Sequence, residues 1–317
     1  MTAGGILILY ALVVGFIGPA GFRRASWPVR APRLGGTAVL AAAWSVPIAL
    51  LLAGATIVLP ASALTTDLGH LIGACLNRLH AAYGTPKAAG VVILGQLLSL
   101  AVAARIAWTA TRLSLRRRTD ERRQRLLIRM AGHRLPELPA VVLDHPGAAA
   151  YSLAGRHPTV VVTSGAVGVL TGPQLGAVLA HENAHLRARH HRRQTAAALA
   201  ARSLPMLPLL REAPALLGRL LEMDADELAA DQHEPRVLAS ALVAVATAGG
   251  PATLAASGAT SSAPAAGAAD AAARIRRLLQ PPDRLPAGRQ TLTRVAVTAL
   301  TMTPLVLAAA PGLLALS

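Results

Sequence analysis

Four long apolar runs, each set beside arginines, limit this chain to a small set of folds: Gly4–Ala20, Leu34–Leu59, Ala88–Thr109 and Val295–Leu316. A helix rises about 1.5 Å per residue, so roughly 20 apolar residues cross the ~30 Å hydrocarbon layer of a bilayer, and about 17 suffice. Composition agrees. Hydrophobic residues make up 53% of the 317, charged residues 15%, and the mean hydropathy is +0.48, an apolar excess that an ordinary soluble domain does not carry. Only 3% of residues are aromatic, so the apolar surface is small and aliphatic, as in closely packed helices.

The arginines orient the runs. No Lys or Arg precedes the first run, which argues against a secretory signal with a basic leader and for an uncleaved span. Arg23, Arg24, Arg30 and Arg33 follow it, Arg112–Arg129 follows the third run, and Arg274, Arg276, Arg277, Arg284, Arg289 and Arg294 precede the fourth. Positive charge stays inside, so these segments are expected on the cytoplasmic face, with residues 61–87 and both termini outside. The expected organisation is a multi-pass plasma-membrane protein. Residues 1–111 hold three transmembrane helices, 112–290 a cytoplasmic domain and 291–317 a fourth transmembrane helix, with no soluble domain after it. His70 and His80 read as surface residues of the outer loop. The single cysteine, Cys75, excludes an internal disulfide and a Cys-based metal site, and reads as a small buried residue. Much of the net charge of +16 comes from RLSLRRRTDERRQRLLIR, 112–129. Because it abuts a span, it reads as a juxtamembrane helix lying on anionic lipid headgroups, with no direct nucleic-acid partner expected.

Within the expected domain, His181-Glu182-Asn183-Ala184-His185 fits H-E-x-x-H. On a helix, residues four apart stack one turn above the other, so His181 and His185 can face one metal ion while Glu182 is placed to take a proton from water. Thr171 and Gln174 have capping-box spacing, Pro173 falls in the first turn, and Leu175, Val178 and Leu179 supply an apolar face. With 10 His and seven Glu in the chain, random placement gives about 0.01 such matches. The alternative is a basic, His-containing exposed helix, since His190 and His191 make this patch locally His-rich.

Zinc takes three protein ligands and keeps one position open. His191 has the spacing of a motif that leaves its helix at a glycine, but Ala188 stands there, and alanine favours continuing the helix away from the metal. Glu222, on a second helix opened by Pro214, is the favoured third ligand, with Asp226 one turn on to orient a ligand imidazole. Asp224, Glu227 and Asp231 read as a solvated helix face.

The surroundings are coarser. PAVVLDHPG and PTVVVTSGAV (from Pro139 and Pro158) read as strands flanking Ala149–Gly155, which would set a sheet edge beside the motif helix, able to hold an extended peptide, or form a purely structural hairpin. Residues 195–210, broken by Pro205 and Pro208, read as a hydrophobic hairpin dipping toward the membrane or packed on the domain. Residues 237–248 read as a buried helix and 249–271 as a flexible Ala/Gly/Ser/Pro loop.

The order VVVTSGAVGVLTGPQLGAVLAHENAHLRARHH … LEMDADELAAD, with four spans around it, resembles the BlaR/MecR-type membrane metallopeptidases, gluzincins more distantly related to HtpX-like and CaaX-prenyl proteases. The resemblance is closest over residues 140–245. It implies an integral membrane protein, mainly α with a small β-sheet, carrying a cytoplasmic gluzincin-type domain. It further implies Zn2+ held by His181, His185 and Glu222, Glu182 as base, Asp226 as helper carboxylate, and His190 where relatives have a polar residue behind the ligands. The implied activity is a zinc metalloendopeptidase that cleaves a cytoplasmic protein, a transcriptional repressor or itself, in signalling. BlaR/MecR sensors continue past the fourth span into an extracellular penicillin-binding domain, whereas this chain ends at Ser317, so β-lactam sensing is not carried over. The alternatives are an HtpX-like quality-control protease and a non-catalytic membrane receptor or scaffold. The presence of Glu182 argues against the last. Tyr151, His233 and Arg236 are the residues considered for the oxyanion. Expected partners are a protein or peptide substrate, membrane lipid and, as an open option, a second copy of the chain.

Overall fold

The computed structural model describes residues 3–58, 86–135, 138–248 and 264–313. The apolar runs form α1 (Ala3–Arg24), α3 (Pro32–Val58), α4 (Pro86–Ala131) and α11 (Ala287–Leu313), with the short α2 (Trp27–Arg30) between the first two. All four are long and apolar enough to cross a membrane, by length and composition. α3 is the hub against which α1, α4 and α11 pack. Its apolar window is 61% buried, against 6% for α4 and α11. Phe16, Ile17, Leu94, Leu100 and Leu292 are each more than half exposed on the outside of this bundle. An outer surface that apolar calls for an apolar medium. Close packing rests on small residues: a Cβ on Gly54 of α3 would lie 2.3 Å from the Ser99 Cβ of α4, and Ser99 Oγ donates to Leu51 O at 3.0 Å.

The hairpin expected at 195–210 is the turn between α7 (His190–Ser203) and α8 (Pro208–Ala230). Ala197, Ala200, Leu204, Leu207, Leu209, Leu210, Leu217 and Leu221 share one core with Leu7, Ala11, Val39, Val46 and Val102 of α1, α3 and α4. The hairpin is therefore built into the apolar bundle. Arg105 of α4 donates to the Ser203 and Arg202 carbonyls at 3.4 Å each, closing the C-terminus of α7. Arg23 at the end of α1 pairs with Glu212 of α8. Pro214 does not open this second helix. The helix starts at Pro208, and Pro214 sits inside it.

The third span and the basic segment form one unbroken helix of 46 residues, α4. The expected division at 111/112 falls inside it. Residues 112–129, expected over the headgroups, continue the helix of the third apolar run along the same axis without a break. α4 then leads into a four-stranded sheet of β1 (Gly132–Arg134), β2 (Val141–Leu143), β3 (Ala150–Leu153) and β4 (Thr159–Thr163), in the order β1-β2-β4-β3. The two Val runs, β2 and β4, pair in parallel, Val142 opposite Val162, and do not form a hairpin. The hairpin is β3–β4, antiparallel with Tyr151 opposite Val161, turning through Gly155 at φ +132, a conformation glycine reaches without Cβ strain. β3 is therefore an edge strand.

After the short α5 (Ser164–Val169), α6 (Gly172–Arg187) runs beside β3 and packs on α8 and on α9 (Pro235–Ala248). Thr171 N donates to Gln174 Oε1 at 2.9 Å, and Pro173 sits in the first turn, as the capping-box spacing predicts. α10 (Pro264–Leu279) packs on α8 and α9. Residues 264–271, expected as loop, are the first turns of α10. Residues 249–263, and His70, Cys75 and His80 of the expected outer loop, lie outside the described residues.

Candidate metal centre

α6 presents His181 and His185 on one face, and α8 brings Glu222 against them. His181 Nε2 and His185 Nε2 are 3.1 Å apart, and the Glu222 oxygens lie 3.5 Å from each. Tetrahedral zinc with bonds of about 2.0–2.2 Å sets its ligand atoms about 3.4 Å apart. Three donors of the right kind thus stand at the right mutual distances, and they form the metal-competent cluster among the described residues. The Glu222 side chain keeps 38% exposure, so the cluster is reachable from solvent.

Each histidine is backed so that its Nε2 faces the cluster. His181 Nδ1 lies 3.0 Å from Asp226 Oδ1. His185 Nδ1 lies 3.0 Å from His190 Nδ1, and His190 Nε2 lies 3.0 Å from Asp224 Oδ2. Asp224 can only accept when ionised, so His190 donates to it through Nε2 and accepts from His185 Nδ1–H, leaving the His185 Nε2 lone pair for a metal. Asp224 is 3% exposed. The expectation of a solvated face is thus wrong for Asp224, whereas Glu227 and Asp231 do lie at the surface. His190 itself is buried behind the histidines, where the resemblance placed a polar residue.

His191 is not in the cluster. The reason expected from Ala188 is not the one at work: α6 stops at Arg187, and Arg189 takes the left-handed conformation, φ 53, so the chain leaves the helix without a glycine. The new helix, α7, turns His191 toward Arg117 and Glu121 of α4, where burial first and then the charges of Arg192 and Arg117 lower its pKa.

Arg274 of α10 is the residue the sequence reading passed over as a topology determinant. Its Nε and Nη2 donate to the two oxygens of Asp226 at 2.8 and 2.7 Å, and Nη1 lies 2.9 Å from Glu222 Oε2. A bidentate guanidinium of this kind fixes both carboxylates in place. No local pattern singles it out in the sequence; three residues on, Arg277 pairs with Glu227. None of the residues considered for the oxyanion is joined to the cluster by a hydrogen bond or ion pair among the described residues. Tyr151 neighbours Ser152 and so faces the other side of β3. The His233 ring packs over Gly176 of α6, and Arg236 is exposed.

The electrostatics suit a metal site. Burial opposes charge on His181, but its contacts with Asp226 and Glu222 outweigh that and push its pKa up to about 10. Burial, only partly offset by Glu222, holds His185 down at about 4, neutral and ready to ligate. Glu222 is kept ionised: burial works against it, but the Arg274 charge and His181 prevail. Glu182 is pushed above the ordinary carboxylate range, first by burial and also by the Glu222 charge, with His181 and a hydrogen bond from Ser152 of β3 working the other way. A raised carboxyl beside a metal-competent cluster suits proton transfer near neutrality.

Residues 116–212 match the model of peptidase family M48. The match supports a place among the M48 metallopeptidases. That family is zinc-dependent, and the match contains His181, Glu182 and His185 but stops at Glu212, before Glu222, Asp226 and Arg274. No curated protein and no solved structure matches the chain.

Proposed function

We propose that this chain is a membrane-embedded zinc metalloendopeptidase whose site opens to the cytoplasm and cleaves a cytoplasmic protein, a repressor or the chain itself, in signalling. The observation that carries the enzymatic part is the convergence of His181, His185 and Glu222 at 3.1–3.5 Å, with Glu182 on the same helix beside the β3 edge. The signalling part rests on the resemblance, and the sidedness on the arginine distribution. Zinc, when bound, supplies Lewis acidity that polarises the scissile carbonyl and acidifies water. The chain's own groups do the rest. Asp226 and the His190–Asp224 pair hold the two imidazoles, and Arg274 holds Glu222. The free edge of β3 can take an extended substrate through main-chain hydrogen bonds. Glu182 takes the proton of the attacking water and passes it to the leaving amine.

A second reading, an HtpX-like protease acting on membrane proteins, is favoured by one observation. α8 carries both the leucines of the apolar bundle and Glu222, which keeps the site near the membrane. Ten residues separate Glu212, paired with Arg23, from Glu222, a rise of about 15 Å. New protein N-termini should be mapped in cells expressing wild type or Glu182→Ala. Soluble cytoplasmic fragments found only with wild type support signalling, and fragments confined to membrane proteins support the second reading. Identical termini from two zinc-loaded proteins would overturn the enzymatic assignment.

A further inference from the structure

The outward face of the second half of α4 carries more than a topology signal. Residues 112–129 hold eight arginines against two acids. Arg112, Arg116, Thr119, Arg123, Leu126, Leu127 and Met130 follow one another at helical spacings of three and four along one stripe. Leu126, Leu127 and Met130 are 58%, 60% and 77% exposed. Among the described residues no ion pair or hydrogen bond engages Arg116, Arg122, Arg123 or Arg129. The opposite side of α4 is the one that packs on α7, β1 and β2, so the stripe points away from the metal centre and is independent of it.

Which occupant fits follows from the geometry, resting on the membrane placement proposed above. The Arg112 guanidinium stacks 4.3 Å over Trp108, a pair suited to the bilayer interface. From Arg112 to Met130 the unbroken helix rises about 27 Å, whereas the headgroup layer of one leaflet is only about 5–8 Å thick and charge is screened within about 8 Å at physiological salt. Lipid therefore does not reach Arg123, Leu126 or Met130. A second copy in the same membrane would bring parallel helices together with each arginine against its own counterpart, which repels. Nucleic acid would satisfy the arginines but leave the leucines and Met130 exposed to water. The stripe fits a helix with acidic residues flanking an apolar seam. We propose that the outward face of α4 is the docking site for an acidic amphipathic helix of a partner protein.

The test uses the full chain in nanodiscs of neutral phosphatidylcholine. The probe is a dye-labelled synthetic helix of about 18 residues with leucines at spacings of three and four and glutamates beside them, read by fluorescence anisotropy. Binding should weaken at least about tenfold in Arg116→Gln/Arg123→Gln and in Leu126→Gln/Leu127→Gln, and fall with added salt. Zinc content and thermal unfolding should stay unchanged, and the arginine pair carries the test if the leucine variant misfolds. Equal binding of a scrambled peptide of the same composition overturns the proposal. So does tighter binding of an RNA duplex that ignores the leucine change, or efficient cross-linking of two copies through Arg123→Cys. Membrane placement is checked separately: quenching of a dye on Leu127→Cys by lipid-borne quenchers would show that α4 lies on the bilayer, which also overturns it.

Discussion

Zinc must displace a proton to enter this site. Two imidazole lone pairs facing each other at 3.1 Å repel, so one of His181 Nε2 and His185 Nε2 is protonated in the metal-free chain. Despite burial, Asp226 and Glu222 hold that proton on His181, with a pKa of about 10, while burial keeps His185 at about 4. Zinc needs both lone pairs, so binding expels one proton anywhere between these values, and two below the lower one. The apparent affinity should then rise tenfold per pH unit, about a thousand-fold from pH 6 to pH 9. Competition with a chromophoric chelator, corrected for its own titration, gives the slope. Calorimetry in two buffers of different ionisation heat gives the proton count. A flat profile with no proton released would refute the reasoning. The same proton has a stability signature. The His181 pKa lies above its unfolded value of 6.5, so its contribution to the metal-free fold is complete below about 6.5 and is lost as pH rises through about 10. The metal-free protein should lose stability across that range, and the zinc-loaded protein should not.

Glu222→Ala should abolish stoichiometric zinc, whereas His191→Ala should retain it, both read by metal analysis of purified protein. Asp224→Ala removes the acceptor that orients His190 and through it His185, and should weaken zinc binding by about 10–100-fold in the chelator assay. Arg274 lowers the Glu182 pKa, so Arg274→Gln should move the acidic limb of the pH–rate profile of peptide hydrolysis upward. In Gly15→Val, the new side chain meets Leu207, whose Cδ2 lies 3.1 Å from the Cβ position. Overpacking of this kind costs about 1–3 kcal/mol, which should appear as a lower unfolding temperature in detergent.

The candidate site was legible where chemistry fixes spacing. H-E-x-x-H on a capped helix specified His181, Glu182 and His185, and the E-x-x-x-D spacing of Glu222 and Asp226 put both on one face of the next helix. What stayed hidden depends on contacts between elements distant in sequence. Asp224 looked like a surface acid because nothing local shows that His190 will cover it. Arg274 is 48 residues from Asp226, and in the sequence it is one arginine among many. The four long apolar helices were readable from hydropathy, but the embedding of the α7–α8 turn among them was not. Pro205 and Pro208 interrupt the apolar signal there, and the burial comes from Gly15 and Gly18 of α1 leaving room. β3 was missed because its half-buried AYSL segment shows no alternation. Its partner β4, with its Val run in the core, was plain.

Leu221 belongs to the apolar bundle core and Glu222, its neighbour in sequence, to the metal cluster. Nothing flexible stands between anchorage and chemistry. Deleting one residue between Leu217 and Leu221 would turn Glu222 and Asp226 by about 100° relative to the embedded leucines and take both carboxylates off the histidines. Inserting seven there restores the facing to within about 20° but moves the site about 10 Å further from the embedded leucines. On the membrane placement proposed above, the distance of the candidate site from the bilayer is thus set in helical turns.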